Sequence, residues 1–434
     1  MNARALASTA ASAVLVTAGL AFARATPKAD PPSYDKLELF AEVMALVDAE
    51  YVEPVEADVL IQGALDGALK KLDPHSGYLP PVDFTEAQKA ARREYGGLGI
   101  EVVMEGGLVK VNYVIEDGPA NDAGLKAGDF ITAVEGESVM GKSLDDAVVG
   151  MRGLAGDPVT ITVLSGETSR DVEVVRAQVR GRAVRHRVEQ GLGYVFIDSF
   201  NNAELTRDLT RAIGLLEEEL GKPLPGLIID LRGNRGGLLT QSVSVSGLFL
   251  DGGEVLSVRG REDTDTERYH AEDGELLPGV PIAVLTSPGS ASAAEIVAGA
   301  IQDRGRGVVI GRRSFGKGSV QSVIPLPGDK GALRLTTQRY YTPSGKSIQG
   351  RGIMPDLLVA AVEDEGKLQK RFREDSLPNF LSNDDDTDYE ERYEDVLYPP
   401  DVLPDDVDYQ LRKATEVLKT SQYADLLAAQ SELD

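Results

Sequence analysis

PIAVLTSPGSASAAEIVAGAIQD, residues 281–303, decides the fold. Its first six residues form an apolar run of strand length. From Ala293 onward, small and apolar residues recur at helical spacing. A turn-rich SPGSAS lies between them, so the stretch predicts a buried strand leading through a tight loop into a helix. The same rhythm recurs on both sides. GYVFIDSF predicts a strand, followed by a helix opened at Asn201 with Leu205, Leu209, Ala212, Ile213, Leu216 and Leu220 on one face and Gly221 just past its end. GLIIDL predicts a second buried strand, followed by a glycine loop and a helix. GVVIG, SVQSVIPL and GALRLTTQRYY predict further strands. Alternation of this kind implies βαβ units around a largely parallel sheet. Sites in such sheets lie in loops after the carboxyl ends of strands. Two loops qualify: RGNRGG after GLIIDL, and SPGSAS after PIAVLT.

The second loop holds Ser287, Ser290 and Ser292. Ser292 stands three residues before Glu295 and an apolar run, the pattern of a capping box. It also stands at a strand-to-helix turn, where a nucleophile elbow would expose it, with the Ala293 amide and the helix dipole favouring negative charge beside it. The G-x-S-x-G spelling is absent, and capping accounts for Ser292 nearly as well. A serine nucleophile needs a base. The chain has three histidines, His75, His186 and His270, and no cysteine. Lysine is the chemical alternative. Lys317 lies in GRRSFGKG, residues 311–318, one residue short of a P-loop because Gly318 replaces the Mg²⁺-binding Ser or Thr. The β-branched SVQSVIPLPG that follows does not supply the helix N-terminus a phosphate needs. A turn lysine in solvent and a buried base both fit the residues. Acting as a base requires burial to lower an ordinary pKa of about 10.4 by roughly 3 units. Gln321, four residues on, could accept a hydrogen bond from the neutral amine without adding charge. Gly233, Gly236 and Gly237 let backbone N–H groups converge as an oxyanion hole, or simply form a turn.

The chain has 434 residues and a net charge of −25. Residues 361–434 hold 21 Asp/Glu against 8 Lys/Arg, so the tail is the most acidic part. Such a surface repels phosphate and argues against nucleic acid. Without cysteine there are no disulfides, thiolate metal sites or cysteine nucleophile. The histidines are widely spaced, so no metal site and no cofactor are expected. MNARALASTAASAVLVTAGLAFARA carries one Arg, an apolar run and Ala21-Phe22-Ala23, the pattern of a secretory signal over residues 1–25; left uncut, it could anchor the chain in a membrane. Residues 34–94 predict a helical region. Phe40, Val43, Val47 and Tyr51 share one face, and Ile61, Leu65, Leu69 and Leu72 another. The region is broken by DPHSGYLPP. Residues 95–178 predict a small α+β domain. Residues 180–360 hold the alternating core, and 361–434 an acidic tail with one short amphipathic helix.

Taken together and in this order, these pieces resemble the carboxy-terminal processing, or tail-specific, proteases. LDPHSGYL is similar to the family's N-terminal region, and GGLGIEV with GPANDAGLKAGDFITAVEG to its embedded PDZ domain. GLIIDLRGNRGGLL, GSASAAEIVAGAIQD and GRRSFGKGSVQ resemble its catalytic core. The resemblance implies an α/β core of the crotonase and ClpP type with an inserted PDZ domain and an N-terminal helical region. It implies Ser292 as nucleophile, Lys317 as general base and Gln321 as the group orienting the lysine. Gly236, Gly237 and the Ala293 amide would form the oxyanion hole. Leu98, Gly99 and Ile100 would offer amides to a peptide's terminal carboxylate, with the adjoining strand accepting the peptide as an added strand. Two spellings depart from the family's: Ala294 in GSASAAE, and Arg235, which places a charge near the substrate path. The implied function is an exported, periplasmic serine endopeptidase. It would act on proteins with apolar C-termini, as a homo-oligomer, and with an adaptor or activator protein as a further partner. The competing reading is a PDZ scaffold or apolar-ligand carrier on the same fold without catalysis.

Overall fold

The computed structural model describes residues 34–91, 95–115, 118–166, 168–177, 183–262, 264–361, 373–384, 396–400, 404 and 407–431. The N-terminal signal segment lies outside them. Residues up to Ala64 belong to one compact unit and those from Leu65 to another. The first unit carries helix Tyr34–Glu50 and most of helix Ala57–Leu69. Of the apolar side chains expected to line these helices, Phe40, Val43, Ile61 and Leu65 are exposed and Val47 and Leu69 are half-buried. Among the described residues no helix is long and apolar enough to cross a membrane.

The second unit is built on a six-stranded sheet. Its order is Val184–Glu189, Leu192–Ile197, Leu227–Asp230, Ile282–Thr286, Val308–Gly311, Leu357–Leu358. The first pair is antiparallel and the rest are parallel. Alternate residues of each strand face opposite cores. Val195, Ile197, Leu227, Ile229, Ile282, Val284 and Val309 pack against helices Leu205–Leu220 and Ala293–Asp303. Leu192, Tyr194, Ile228, Ala283, Leu285, Val308 and Ile310 pack on the other face against helix Tyr409–Leu418. Burial on both faces is why these strands read as continuous apolar runs.

The acidic tail therefore departs from its sequence reading. It carries two described helices, Tyr409–Leu418 and Gln422–Ser431. The first buries Tyr409, Leu411, Ala414, Val417 and Leu418 over the sheet. Leu411, Ala414, Val417 and Leu418 fall on one face with Tyr409 at its margin, and each large side chain buried there contributes about 1.5–3 kcal/mol.

A second, antiparallel sheet joins Gly77–Leu79, Ala332–Tyr341, Glu254–Arg259 and Thr266–His270, with Ser319–Pro325 paired to Ala332–Tyr341. The short strand after the DPHS turn is thus an edge of the core sheet. The hairpin at 254–270 has no counterpart in the sequence reading. Residues 95–177 form a separate antiparallel sheet, ordered Ile100–Glu105, Leu108–Val114, Phe130–Val134, Pro158–Ser165, Thr168–Val175, around its own core. Its entry and exit are clasped together where Gly97 and Ala177 exchange hydrogen bonds of 2.9 and 3.2 Å.

Candidate active site

The two loops singled out from sequence meet at one end of the parallel sheet. Buried Asn234 joins them. Its side-chain amide donates to the Ile197 carbonyl (2.8 Å), its Oδ1 accepts from the Gly236 N–H (2.8 Å), and its carbonyl accepts from the Ala291 N–H (2.9 Å). Ser287 Oγ accepts from Gly233 N–H (3.1 Å), and Ser290 Oγ donates to the Leu231 carbonyl (2.8 Å). Ser287 and Ser290 are cross-links between the loops and not simply turn residues. Sequence reasoning passed over Asn234, although a lone Asn in a glycine loop is a signal for side-chain-to-backbone bonding.

Ser292 sits at the entry to helix Ala293–Asp303 with φ 56° and ψ −115°. That left-handed φ is unusual for a serine and costs of order 1–3 kcal/mol, which the surrounding bonds must hold in place. Glu295 supplies much of that restraint. It is fully buried and accepts four hydrogen bonds. Oε2 takes the N–H of Ser292 (2.7 Å) and of Lys317 (2.9 Å). Oε1 takes Ser314 Oγ (2.5 Å) and the N–H of Gly316 (2.6 Å). A single carboxylate oxygen therefore binds the backbones of both residues expected to form the dyad. Burial pushes the Glu295 carboxyl up to about 7, while the bonds from Ser314, Gly316, Ser292 and Lys317 pull it down.

Lys317 precedes strand Ser319–Pro325 and is half-buried. Burial lowers its ammonium's affinity for a proton. The Glu374 charge raises it, Arg334 lowers it and Glu295 raises it, and the balance is a lowered pKa. Gly316 and Gly318 let the chain pass tightly. A Cβ at Gly318 would lie 2.3 Å from the Gln349 nitrogen, and at Gly316 (φ 94°) 3.2 Å from the Gly350 carbonyl carbon. No hydrogen bond joins Ser292 Oγ to Lys317 Nζ in this conformation. Gln321 does not bond Lys317 either: its amide nitrogen donates to Ser319 Oγ (3.0 Å) and Thr336 Oγ1 (3.2 Å). The structure thus brings Ser292 and Lys317 together through their backbones and leaves Gln321 turned to its own sheet.

The three amides expected in the oxyanion hole divide. Gly236 spends its N–H on Asn234. Among the described residues the Gly237 and Ala293 N–H groups have no hydrogen-bond partner, and Gly237 is exposed to solvent. Gly237 is held by a parallel bridge to Phe200, with Phe200 N–H donating to the Gly236 carbonyl (3.0 Å) and Leu238 N–H to the Phe200 carbonyl (3.1 Å).

At the separate domain, Leu98 is buried, Gly99 has φ 78°, and the N–H groups of both have no hydrogen-bond partner among the described residues, while their carbonyls accept from Ala120 (2.7 Å) and Ile115 (2.9 Å). Ile100 starts strand Ile100–Glu105, which pairs on one side only and leaves the other edge open. An open edge beside unpaired amides is the geometry for adding a peptide strand and holding its carboxylate.

Known proteins share this organisation. The model of peptidase family S41 matches residues 191–359, and a PDZ domain model matches residues 96–175. The chain is 45% identical over 330 residues to the carboxy-terminal-processing protease of Bartonella bacilliformis, covering 75% of this chain and 76% of that one. It is 30% identical over 362 residues to a probable CtpA-like serine protease of Staphylococcus aureus, covering 83% of this chain and 70% of that protein. Among solved structures, the photosystem II D1 C-terminal processing protease matches with a TM-score of 0.45 at 27% identity, covering 79% of this chain and 99% of that one.

Proposed function

The chain belongs to peptidase family S41 as a C-terminal processing serine peptidase with a PDZ domain, and from that premise we propose that it cleaves proteins through a Ser292–Lys317 dyad. In this reading neutral Lys317 takes the proton of Ser292 Oγ as the hydroxyl attacks the scissile carbonyl. The developing oxyanion is received by the amides of Gly237 and Ala293. Gly236 supports them from behind, since its own N–H is committed to Asn234. The scissile C–N bond breaks as Lys317 passes that proton to the departing amine, and the acyl-enzyme is then hydrolysed with the again neutral Lys317 activating water. Lysine suits this task where it is partly buried, because burial favours the neutral amine. Gln321 takes up its orienting role only if its amide oxygen, which the bonds to Ser319 and Thr336 leave free to accept, comes within reach of the lysine amine.

The observation that carries the reading is the shared Glu295 oxygen, which holds the backbones of nucleophile and base against each other. The test is mass spectrometry of an unstructured peptide ending in apolar residues. Wild type truncates it. Ser292→Ala and Lys317→Ala each lose at least about a thousandfold in kcat while remaining folded. Retained turnover in either variant removes that residue from the mechanism.

The PDZ domain captures the substrate's C-terminus at the amides of Leu98, Gly99 and Ile100. Its unpaired amides and open strand edge support this, and amidating the peptide's C-terminus should raise KM at least about tenfold. The N-terminal sequence supports export to the periplasm, with cleavage after Ala23 or retention as a membrane anchor. N-terminal sequencing of the protein from fractionated cells distinguishes these from a chain left inside.

A further inference from the structure

The DPHS turn has found no place in the chemistry so far, yet it is wired to the base. Asp73 accepts from the N–H of His75 (2.8 Å) and from the N–H and hydroxyl of Ser76 (2.8 and 2.7 Å), so the turn is rigid. Ser76 Oγ accepts in turn from the N–H of Thr336 (3.1 Å), in the strand paired with Gln321. The turn aims the His75 imidazole at Glu374, with Nε2 2.9 Å from both carboxylate oxygens. Glu374 is completely buried. Its backbone N–H donates to the carbonyl of Phe315 (3.0 Å), two residues before Lys317. Its Oε1 accepts from the amide of Gln349 (3.0 Å), whose own oxygen accepts from the N–H of Gly318 (3.0 Å), the residue after Lys317. Glu374 thus grips both sides of the lysine's turn, and its charge acts on the ammonium.

That arrangement is paradoxical for a general base. A buried carboxylate near a lysine favours the charged ammonium, and a charged lysine cannot take the serine's proton. His75 offers the resolution. A carboxylate that accepts an imidazole N–H across both oxygens and an amide N–H beside it has much of its negative charge engaged.

We propose that His75 and Glu374 act as a paired positioning unit for Lys317, in which Glu374 fixes the lysine turn through Phe315 and Gln349 while His75 tempers the carboxylate's field at the amine. The proposal rests on the reading of Lys317 as the base. The charged groups facing Lys317 are Glu374, Glu295 and Arg334. Those around His75 are Asp73, Glu374 and Arg334, whose Nε donates to the His75 carbonyl (2.9 Å). Neighbouring Arg373 is paired with Asp375 (2.7 Å).

The test uses the full chain and the second-order rate at which a fluorophosphonate probe labels Ser292, followed from pH 5.5 to 9.5. This readout does not depend on peptide capture. Glu374→Gln keeps the shape and one acceptor oxygen for Gln349 but removes the charge, and should move the lysine's limb to lower pH by about one unit. His75→Phe removes the donor and should move the same limb to higher pH. In the double variant, the His75 change should have no further effect. His75→Gln, which restores a donor, should move the limb to higher pH by less than His75→Phe and stay close to wild type; if His75→Phe does not fold, an upward shift in His75→Gln that vanishes beside Glu374→Gln is the same test. A limb that stays put in Glu374→Gln, or equal His75 shifts with and without the Glu374 charge, overturns the proposal. Those outcomes with Lys317→Ala inactive defeat this pairing alone. An active Lys317→Ala protein defeats the dyad itself.

Discussion

Replacing Glu295 with Gln separates its cost to stability from its value to catalysis. Four donors converge on the wild-type carboxylate. An amide offers only one oxygen and adds an NH₂. The least costly placement keeps the oxygen on the N–H groups of Ser292 and Lys317 and turns the NH₂ to Ser314 Oγ, which can accept. The Gly316 N–H is then left unpaired, at about 1–3 kcal/mol. Against that stands the burial of the charge. Raising the carboxyl from 4.5 to about 7 means the folded state holds its proton more tightly than the unfolded state. Stability therefore falls as pH rises between those values and is level above them, a loss of about 3 kcal/mol at pH 8 and under about 1 kcal/mol at pH 5. Gln escapes this loss. Urea unfolding should therefore show Glu295→Gln within about 2 kcal/mol of wild type at pH 8, and its relative stability improving by about 2–3 kcal/mol from pH 5 to pH 8. Activity should nevertheless fall on the order of a hundredfold, because displacement of the loop by less than an ångström misaligns nucleophile and base. A stability difference independent of pH would refute the buried-charge argument. Full activity would refute the clamp.

Gly237→Ala would place a Cβ 2.4 Å from the carbonyl carbon of Phe200 and 2.5 Å from the nitrogen of Asn201, both backbone atoms. The loop must shift, so kcat should drop about 10²–10³-fold with KM little changed, since the amide serves the transition state; steady-state kinetics on the folded variant checks this. Asp408 caps the tail helix by accepting from the Leu411 N–H (3.0 Å) and pairs with Arg232 at 2.6 Å. Burial raises its carboxyl, but the bonds and charge of Arg232 prevail and hold it below 3.8. That stability is present above about pH 4 and is lost as pH falls through the lower folded value. Asp408→Asn retains a capping oxygen and should cost no more than about 1 kcal/mol at pH 7, whereas Asp408→Ala should cost about 1 kcal/mol more; thermal unfolding of the pair measures the cap. Deleting residues 407–431 uncovers Leu285, Val308 and Ile310. It should lower the melting temperature by more than about 10 °C, and an unchanged Tm would mean the tail does not cover the sheet.

Much of this architecture is legible in one dimension. The runs GLIIDL and PIAVLT announce strands buried on both faces. Gly221 stands past its helix as expected, with φ 92°. The start of that helix was harder to read: it begins at Leu205, and Asn202 Oδ1 bonds the Glu204 N–H (3.0 Å) where Asn201 was expected to cap. Such boundaries turn on side-chain bonds that several neighbouring polar residues could make equally well. The hairpin at 254–270 is not legible because EVLSVR and TERYH alternate weakly and gain strand character from tertiary pairing, EVLSVR with Ala332–Tyr341 and TERYH with EVLSVR.

Taken alone, the sequence determined the strand–helix alternation of the parallel sheet, the two loops at the strand ends, and the pairing of a serine with a lysine in a chain short of histidine and cysteine. Those features rest on local chemistry: periodicity, glycine at turns, and which side chains can act as base. The tertiary structure decided what distance along the chain conceals. Glu295 meets Lys317 across 22 residues, and His75 meets Glu374 across 299. The Gly236 amide is consumed while that of Gly237 remains open, and the acidic tail turns its few apolar residues onto a sheet face that would otherwise meet water. Hydrogen bonds and burial depend on who the neighbours are, and for a βαβ core those neighbours are chosen by the sheet order.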